Sequence, residues 1–159
     1  MEGCAFGART QELRKRPWDE LTDREKHERT MYFSFSRVPF TVDLGAKLLD
    51  WSEPGTVKVR LPYSPRMDNS GGTYHGGVIA SLIDIAGAAA AWNGHDYSKG
   101  RRGLTISMNV NFLDRGGNET LIAVGRCIRR GAQLSFIEIR VETEDGRQVA
   151  TGSLVYRIQ

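Results

Sequence analysis

The stretch from Val78 to Trp92 constrains the fold more than any other part of the chain. These 15 residues are apolar on nearly every helical face, and their only charged member is Asp84. A helix at a protein surface shows one apolar stripe and one polar face, so a helix that is apolar nearly all round has to be enclosed. The run is too short to cross a bilayer, which takes ~20 residues and tolerates a central carboxylate badly. The enclosing layer must come from the remaining sequence, and most of that reads as β.

Ahead of the helix, Gly45 to Trp51 and Thr56 to Tyr63 are predicted strands, split by the turn signal Ser52-Glu53-Pro54-Gly55. In the second, Val57, Val59, Leu61 and Tyr63 alternate with Lys58, Arg60 and Pro62, the period of a half-buried strand. After the helix the pattern is β to the last residues. Leu104, Ile106, Met108, Val110 and Phe112 alternate with Thr105, Ser107, Asn109 and Asn111, predicting a strand with one apolar face. Arg115-Gly116-Gly117-Asn118 turns the chain into a strand from about Thr120 to Ile128. Ile137, Ile139 and Val141 mark the next, and the hairpin signal Asp145-Gly146 leads into a last strand near Val149 to Arg157. The expected architecture is α+β, a curved and mostly antiparallel sheet of about six strands wrapped around one long helix.

With 159 residues the chain is one domain's worth. Residues 1–37 stand apart, since 15 of the 37 are Asp, Glu, Lys or Arg. Thr22-Asp23-Arg24-Glu25 reads as a capping box opening a helix that continues towards Phe35. This segment is expected to be a charged helical appendage packed on a domain of residues 38–159. The first 20 residues lack the apolar core of a signal peptide, and Cys4 and Cys127 supply neither a disulfide framework nor a metal set. Both point to the cytoplasm. The charge balance of 22 − 19 = +3 does not mark a nucleic-acid binder, although it suits an anionic small ligand.

Chemistry concentrates in Asn69-Ser70-Gly71-Gly72-Thr73-Tyr74-His75-Gly76-Gly77, where a polar loop becomes the helix that carries Asp84. Free N–H groups and the positive end of the helix dipole can receive an oxygen carrying partial negative charge there. Gly76 and Gly77 have no side chain to block the approach, and they equally suit a tight turn against the sheet. Asp84 has only Ala80, Ser81, Gly87 and Ala88 at helical spacing around it. A carboxylate with no cation and little bulk nearby is available as a base or nucleophile. It could also line a subunit contact or bond to a neighbouring strand. His75 fits either a base or a residue that bonds the backbone at the helix start. No metal-ligand spacing, Ser-His-Asp arrangement or phosphate-binding loop is present in the sequence.

The spacing Asn69-x5-His75-Gly76-Gly77-x6-Asp84, after two strands and before four, resembles the hotdog-fold acyl-CoA thioesterases of the phenylacetic-acid-degradation (PaaI-like) type. The resemblance covers about residues 38–157 and includes the strand Gly103 to Phe112. It implies that the Gly76 N–H polarises a thioester carbonyl and that Asp84 activates water or attacks directly. It also implies that Asn69 holds the carbonyl or the water and that Thr105 orients the water or the carboxylate. His75 and Gly77 would lie against the substrate. Homodimers, or tetramers made of two dimers, are implied, with Asp84 of one subunit facing Asn69 and Gly76 of the other. No cofactor is implied beyond the coenzyme A of the acyl-CoA substrate, and no metal, nucleic acid or membrane.

Arg129 and Arg130, in an expected turn, suit the phosphates of coenzyme A and equally suit a solvated basic turn. Two other readings remain at this point. One is an acyl-CoA-binding or regulatory module without catalysis, which could dispense with Asp84 and Asn69. The other is a hydratase or dehydratase on the same fold, whose proline-bearing helix start is absent here.

Overall fold

The computed structural model describes residue 6 and residues 8–159, so Cys4 lies outside the described residues. A short helix α1, Ala8–Leu13, precedes α2, Asp23–Ser36. The predicted capping box forms: the Thr22 hydroxyl accepts from the Glu25 N–H at 3.3 Å, and the Glu25 carboxylate accepts from the Thr22 N–H at 2.9 Å. Met31 and Phe35 of α2 are buried in the same core as the sheet, which ties the N-terminal region to the domain.

Beyond α2 the structure adds a helix ahead of the strand expected over Gly45 to Trp51. Residues Pro39–Leu44 form a third helix, α3, and the first strand shrinks to β1, Lys47–Asp50. Pro39 sits in the first helical turn, where its missing N–H removes no bond. Gly45, at φ 81°, supplies the left-handed conformation that ends the helix. Local capping overrides the strand propensity of Val42 and Thr41.

The remaining elements are β2 (Thr56–Leu61), α4 (Gly76–Trp92), β3 (Gly103–Phe112), β4 (Leu121–Arg130), β5 (Leu134–Thr143) and β6 (Gln148–Ile158). They form one six-stranded sheet of order β1-β2-β4-β5-β6-β3, with every neighbouring pair antiparallel. Its inner face closes on α4, which buries Ile79, Leu82 and Ile83 together with the small residues Ala86, Gly87 and Ala89. Burying each of the three large side chains stabilises the fold by about 2 kcal/mol. Close approach of helix and sheet depends on Gly125 of β4, where an added Cβ would lie 2.7 Å from the Ala86 carbonyl oxygen. Among the described residues no helix is long and apolar enough to cross a membrane.

Strand β3 corrects a second expectation, that of an unbroken alternation. Thr105 lies opposite Tyr156 and Ser107 opposite Val155, so Ile106 is an extra residue with no partner. Such a bulge shifts the alternation by one. Before it, Thr105 shares the inner face with Tyr156; after it, Met108, Val110 and Phe112 do. Leu104, opposite Arg157, points to the outer face. Strand β3 is also a sheet edge, ten residues long, and Leu104, Ile106, Met108 and Phe112 on it are all exposed.

Candidate active site

Helix α4 positions two groups of residues. At its middle, the half-buried Asp84 faces β3, and the Thr105 hydroxyl donates to Asp84 Oδ1 at 2.6 Å. A hydroxyl on a carboxylate at this distance is a short, charge-assisted hydrogen bond. It fixes the carboxylate's orientation and leaves Oδ2 available. No ion pair engages Asp84 among the described residues. Tyr156 lies opposite Thr105 on β6, and its hydroxyl accepts from Trp92 Nε1 at 3.2 Å. Burial pushes the Tyr156 hydroxyl above the usual phenol range; the Trp92 bond opposes this, and the nearby Asp84 charge adds to it.

At the N-terminus of α4, the loop after β2 is held by three bonds. His75 N–H donates to Met67 O at 2.8 Å, Asn69 N–H to Thr73 O at 2.8 Å, and Thr73 N–H to Asp68 Oδ1 at 2.8 Å. His75 is the helix N-cap: its Nδ1 accepts from the Gly77 N–H at 3.0 Å and its carbonyl from the Val78 N–H at 2.9 Å. The Gly76 N–H has no acceptor among the described residues, so it is the one offered outwards at the positive end of the dipole. The exposed Phe112 ring lies beside this residue, 3.5 Å from where a Gly76 Cβ would stand. Asn69 is exposed in the same loop.

The expected site residues therefore separate. Asn69, His75, Gly76 and Gly77 come together at one end of α4, with the Gly77 N–H already taken by His75. Asp84 and Thr105 pair two helical turns further on, about 12 Å along the axis from Gly76 at 1.5 Å per residue. Arg129 and Arg130 are not brought to either group. They lie at the end of β4 rather than in a turn, with Arg129 exposed opposite Phe136. Arg130 turns inward and donates to the carbonyls of Ala91 and Asn93, at the far end of α4. A cation there satisfies orphan carbonyls and the negative end of the dipole. Sequence reading missed Tyr156 and Phe112, whose places depend on strand register rather than on any local motif. Groups of three or more His, Cys, Asp or Glu able to hold a metal are absent among the described residues.

A curved six-stranded antiparallel sheet closed on one central helix defines a hotdog domain, and a bare amide at that helix's start with a carboxylate at its middle suits acyl transfer chemistry. Residues 71–150 match the family model described as the thioesterase superfamily, and the chain belongs to that family. A putative esterase of Halobacterium salinarum is 33% identical over 124 residues, 72% of this chain and 81% of the relative. The human acyl-coenzyme A thioesterase 13 is 25% identical over 123 residues, 77% of this chain and 79% of that protein. Among the putative esterases it matches, the chain spans between 56% and 81% of the relative's length. The solved structure of the Escherichia coli PaaI protein, from the phenylacetic acid degradation operon, shares the fold. Its TM-score is 0.73 at 21% identity, covering 84% of this chain and 93% of that one.

Proposed function

We propose that the protein hydrolyses an acyl-CoA thioester to a free carboxylic acid and coenzyme A. In this reading the thioester carbonyl oxygen accepts from the Gly76 N–H, which stabilises the oxyanion as charge develops. Asp84, oriented by Thr105, either takes a proton from the attacking water or attacks the carbonyl carbon itself. The C–S bond then breaks, and the thiolate leaves and is protonated; where Asp84 is the nucleophile, water then hydrolyses the mixed anhydride formed on it, releasing the acid and restoring the carboxylate. The Asn69 amide holds the carbonyl or the water, a role supported by its exposure in the loop before α4, and His75 shapes the amide end by fixing Gly77. The observation that carries the reading is the free Gly76 N–H on the same helix as the Thr105-bound carboxylate. The human relative's description as an acyl-coenzyme A thioesterase supports coenzyme A as the carrier.

One chain does not complete this site. Groups about 12 Å apart along one axis cannot both touch one carbonyl carbon, whereas a catalytic donor or base works at hydrogen-bond reach. We infer that a second copy supplies the missing half, so that Asp84 works with the partner's Gly76 and Asn69. Strand β3 is suited to join the copies. It is a long edge with unpaired backbone groups and exposed apolar side chains, a combination that proteins otherwise avoid leaving open. The proposed unit is a homodimer, or a tetramer of two such dimers.

The test is release of free thiol from a panel of short, medium, long and aryl acyl-CoA esters by the folded oligomer. Turnover on at least one member is expected. No turnover on any, with the oligomer confirmed by light scattering, overturns the hydrolase reading in favour of an acyl-CoA-binding module.

A further inference from the structure

We propose that the groove between the N-terminal helical region and the C-terminal half of α4 holds the 3′-phosphorylated adenosine diphosphate end of coenzyme A. The groove encloses about 820 Å³ and is lined by aromatic rings and three arginines. Trp92 and Tyr97 stack at 5.9 Å with planes 17° apart, and Trp18 meets Tyr97 edge-on at 5.1 Å. The guanidinium of Arg14 lies 5.6 Å from the Tyr32 ring centre, and those of Arg29 and Arg101 lie 5.6 and 5.7 Å from that of Trp18.

None of the three arginines has a carboxylate partner among the described residues. Arg29 is anchored by donating to the carbonyl of Arg16 at 2.9 Å. Among the described residues neither Arg14 nor Arg101 makes a side-chain hydrogen bond, which leaves their donors to a ligand. Three cations gathered at one concave surface repel one another unless an anion joins them. Guanidinium forks match phosphate oxygens in pairs, and an open aromatic face, such as that of the exposed Phe33 in this groove, takes a planar base. An apolar acyl chain would use the rings but leave the cations uncompensated.

Position agrees with this assignment. The groove reaches inward to Gly103 and Tyr156, and Tyr156 stands opposite Thr105, which holds Asp84. A ligand lying along it would have its anionic end at the arginines and its thioester end at the carboxylate. Arg14, Trp18 and Arg29 precede the segment shared with the thioesterase superfamily, which begins at residue 71. The N-terminal region thus contributes one wall of the nucleotide subsite, and Trp92, Tyr97 and Arg101 the other.

The proposal rests on the acyl-CoA reading, and the experiment separates the two. Calorimetric titration with adenosine 3′,5′-bisphosphate reads the groove without catalysis. Hydrolysis of an acyl-CoA is then compared with that of the same acyl group on N-acetylcysteamine, which lacks the nucleotide. Arg14→Gln, Arg101→Gln and the double variant are measured beside Lys58→Gln, a charge-loss control on β2, with folding checked by circular dichroism. Loss of a charge-assisted contact should weaken nucleotide binding about tenfold or more. The preference for acyl-CoA over the short thioester should fall by a similar factor, and Lys58→Gln should alter neither. A wild type that binds no nucleotide, or groove variants that bind it as the wild type does, overturns the proposal even if thioesters are cleaved. Nucleotide binding lost in the groove variants, with neither thioester cleaved by the wild type, upholds the subsite and overturns the hydrolase reading.

Discussion

The Thr105 hydroxyl donates to Asp84 Oδ1 at 2.6 Å, and the register of β3 against β6 shows what makes this possible. Without the extra residue at Ile106, Thr105 would share a face with Ser107 and Asn109, on the outer side of the sheet. The bulge re-aims one side chain at the helix while Met108 and Val110 keep their inner positions. Thr105→Val, which keeps the shape and removes the donor, should lower kcat about tenfold with little change in KM. Thr105→Ser should restore most of the loss. Steady-state kinetics of the two variants decide between an orienting role and simple packing.

Asp84→Asn preserves an oxygen that accepts from Thr105, so the fold and the assembly should be unaltered. It removes the proposed proton acceptor or nucleophile, and thiol release should fall by about 10²–10⁴. Wild-type rates in this variant would remove Asp84 from the chemistry.

Gly76→Ala separates stability from catalysis. The new methyl would meet the Phe112 ring at 3.5 Å, an ordinary contact, and alanine suits a helix better than glycine. The melting temperature should hold or rise. The methyl crowds the amide proposed to receive the carbonyl oxygen, so kcat should drop roughly tenfold or more, as when an oxyanion donor is impaired.

Arg130 is held by two carbonyls at the end of α4, and Arg130→Ala should destabilise the domain by about 2 kcal/mol. Chemical denaturation measures this. An unchanged midpoint together with a raised KM for acyl-CoA would instead return Arg130 to the substrate.

His27 and His95 predict the response to acid. His27 Nε2 bonds the His95 carbonyl at 2.9 Å, and His95 Nε2 bonds the Gly100 carbonyl at 3.0 Å. Burial, as the largest cause, holds both rings below their ordinary value of 6.5. The unfolded chain therefore binds protons that the folded chain refuses, and stability should fall as pH drops through and below 6.5. Melting curves between neutral pH and mild acid should show the loss, and His27→Gln should reduce its slope.

The parts legible in the sequence were those set by neighbours along the chain. The capping pair Thr22 and Glu25, the apolar run around Asp84 and the Asp145-Gly146 hairpin each depend on residues a few positions apart. Helix α3 also carried local signals, Pro39 and Gly45, but its six residues are too few to show a helical apolar period. What escaped was fixed by register between distant strands. Alternating apolar residues conceal the bulge at Ile106, because only β6 counts the residues opposite it. Tyr156 beside Thr105 and Arg130 against Ala91 are likewise pairings across the fold. At the site, the chain order of Asn69, Gly76 and Asp84 was readable, whereas their division between the end and the middle of α4 follows from helical rise.

Arg130 leaves the two ends of α4 in different electrostatic conditions. A helix concentrates about half a unit of charge at each end, and its influence fades within the first or last turn. In α4 the negative pole is quenched by a fixed guanidinium, while the positive pole at Gly76 is left bare. The ends lie about 24 Å apart along the axis, so each acts on its own surroundings. Of the two poles, the one at Gly76 alone is left to attract an anion.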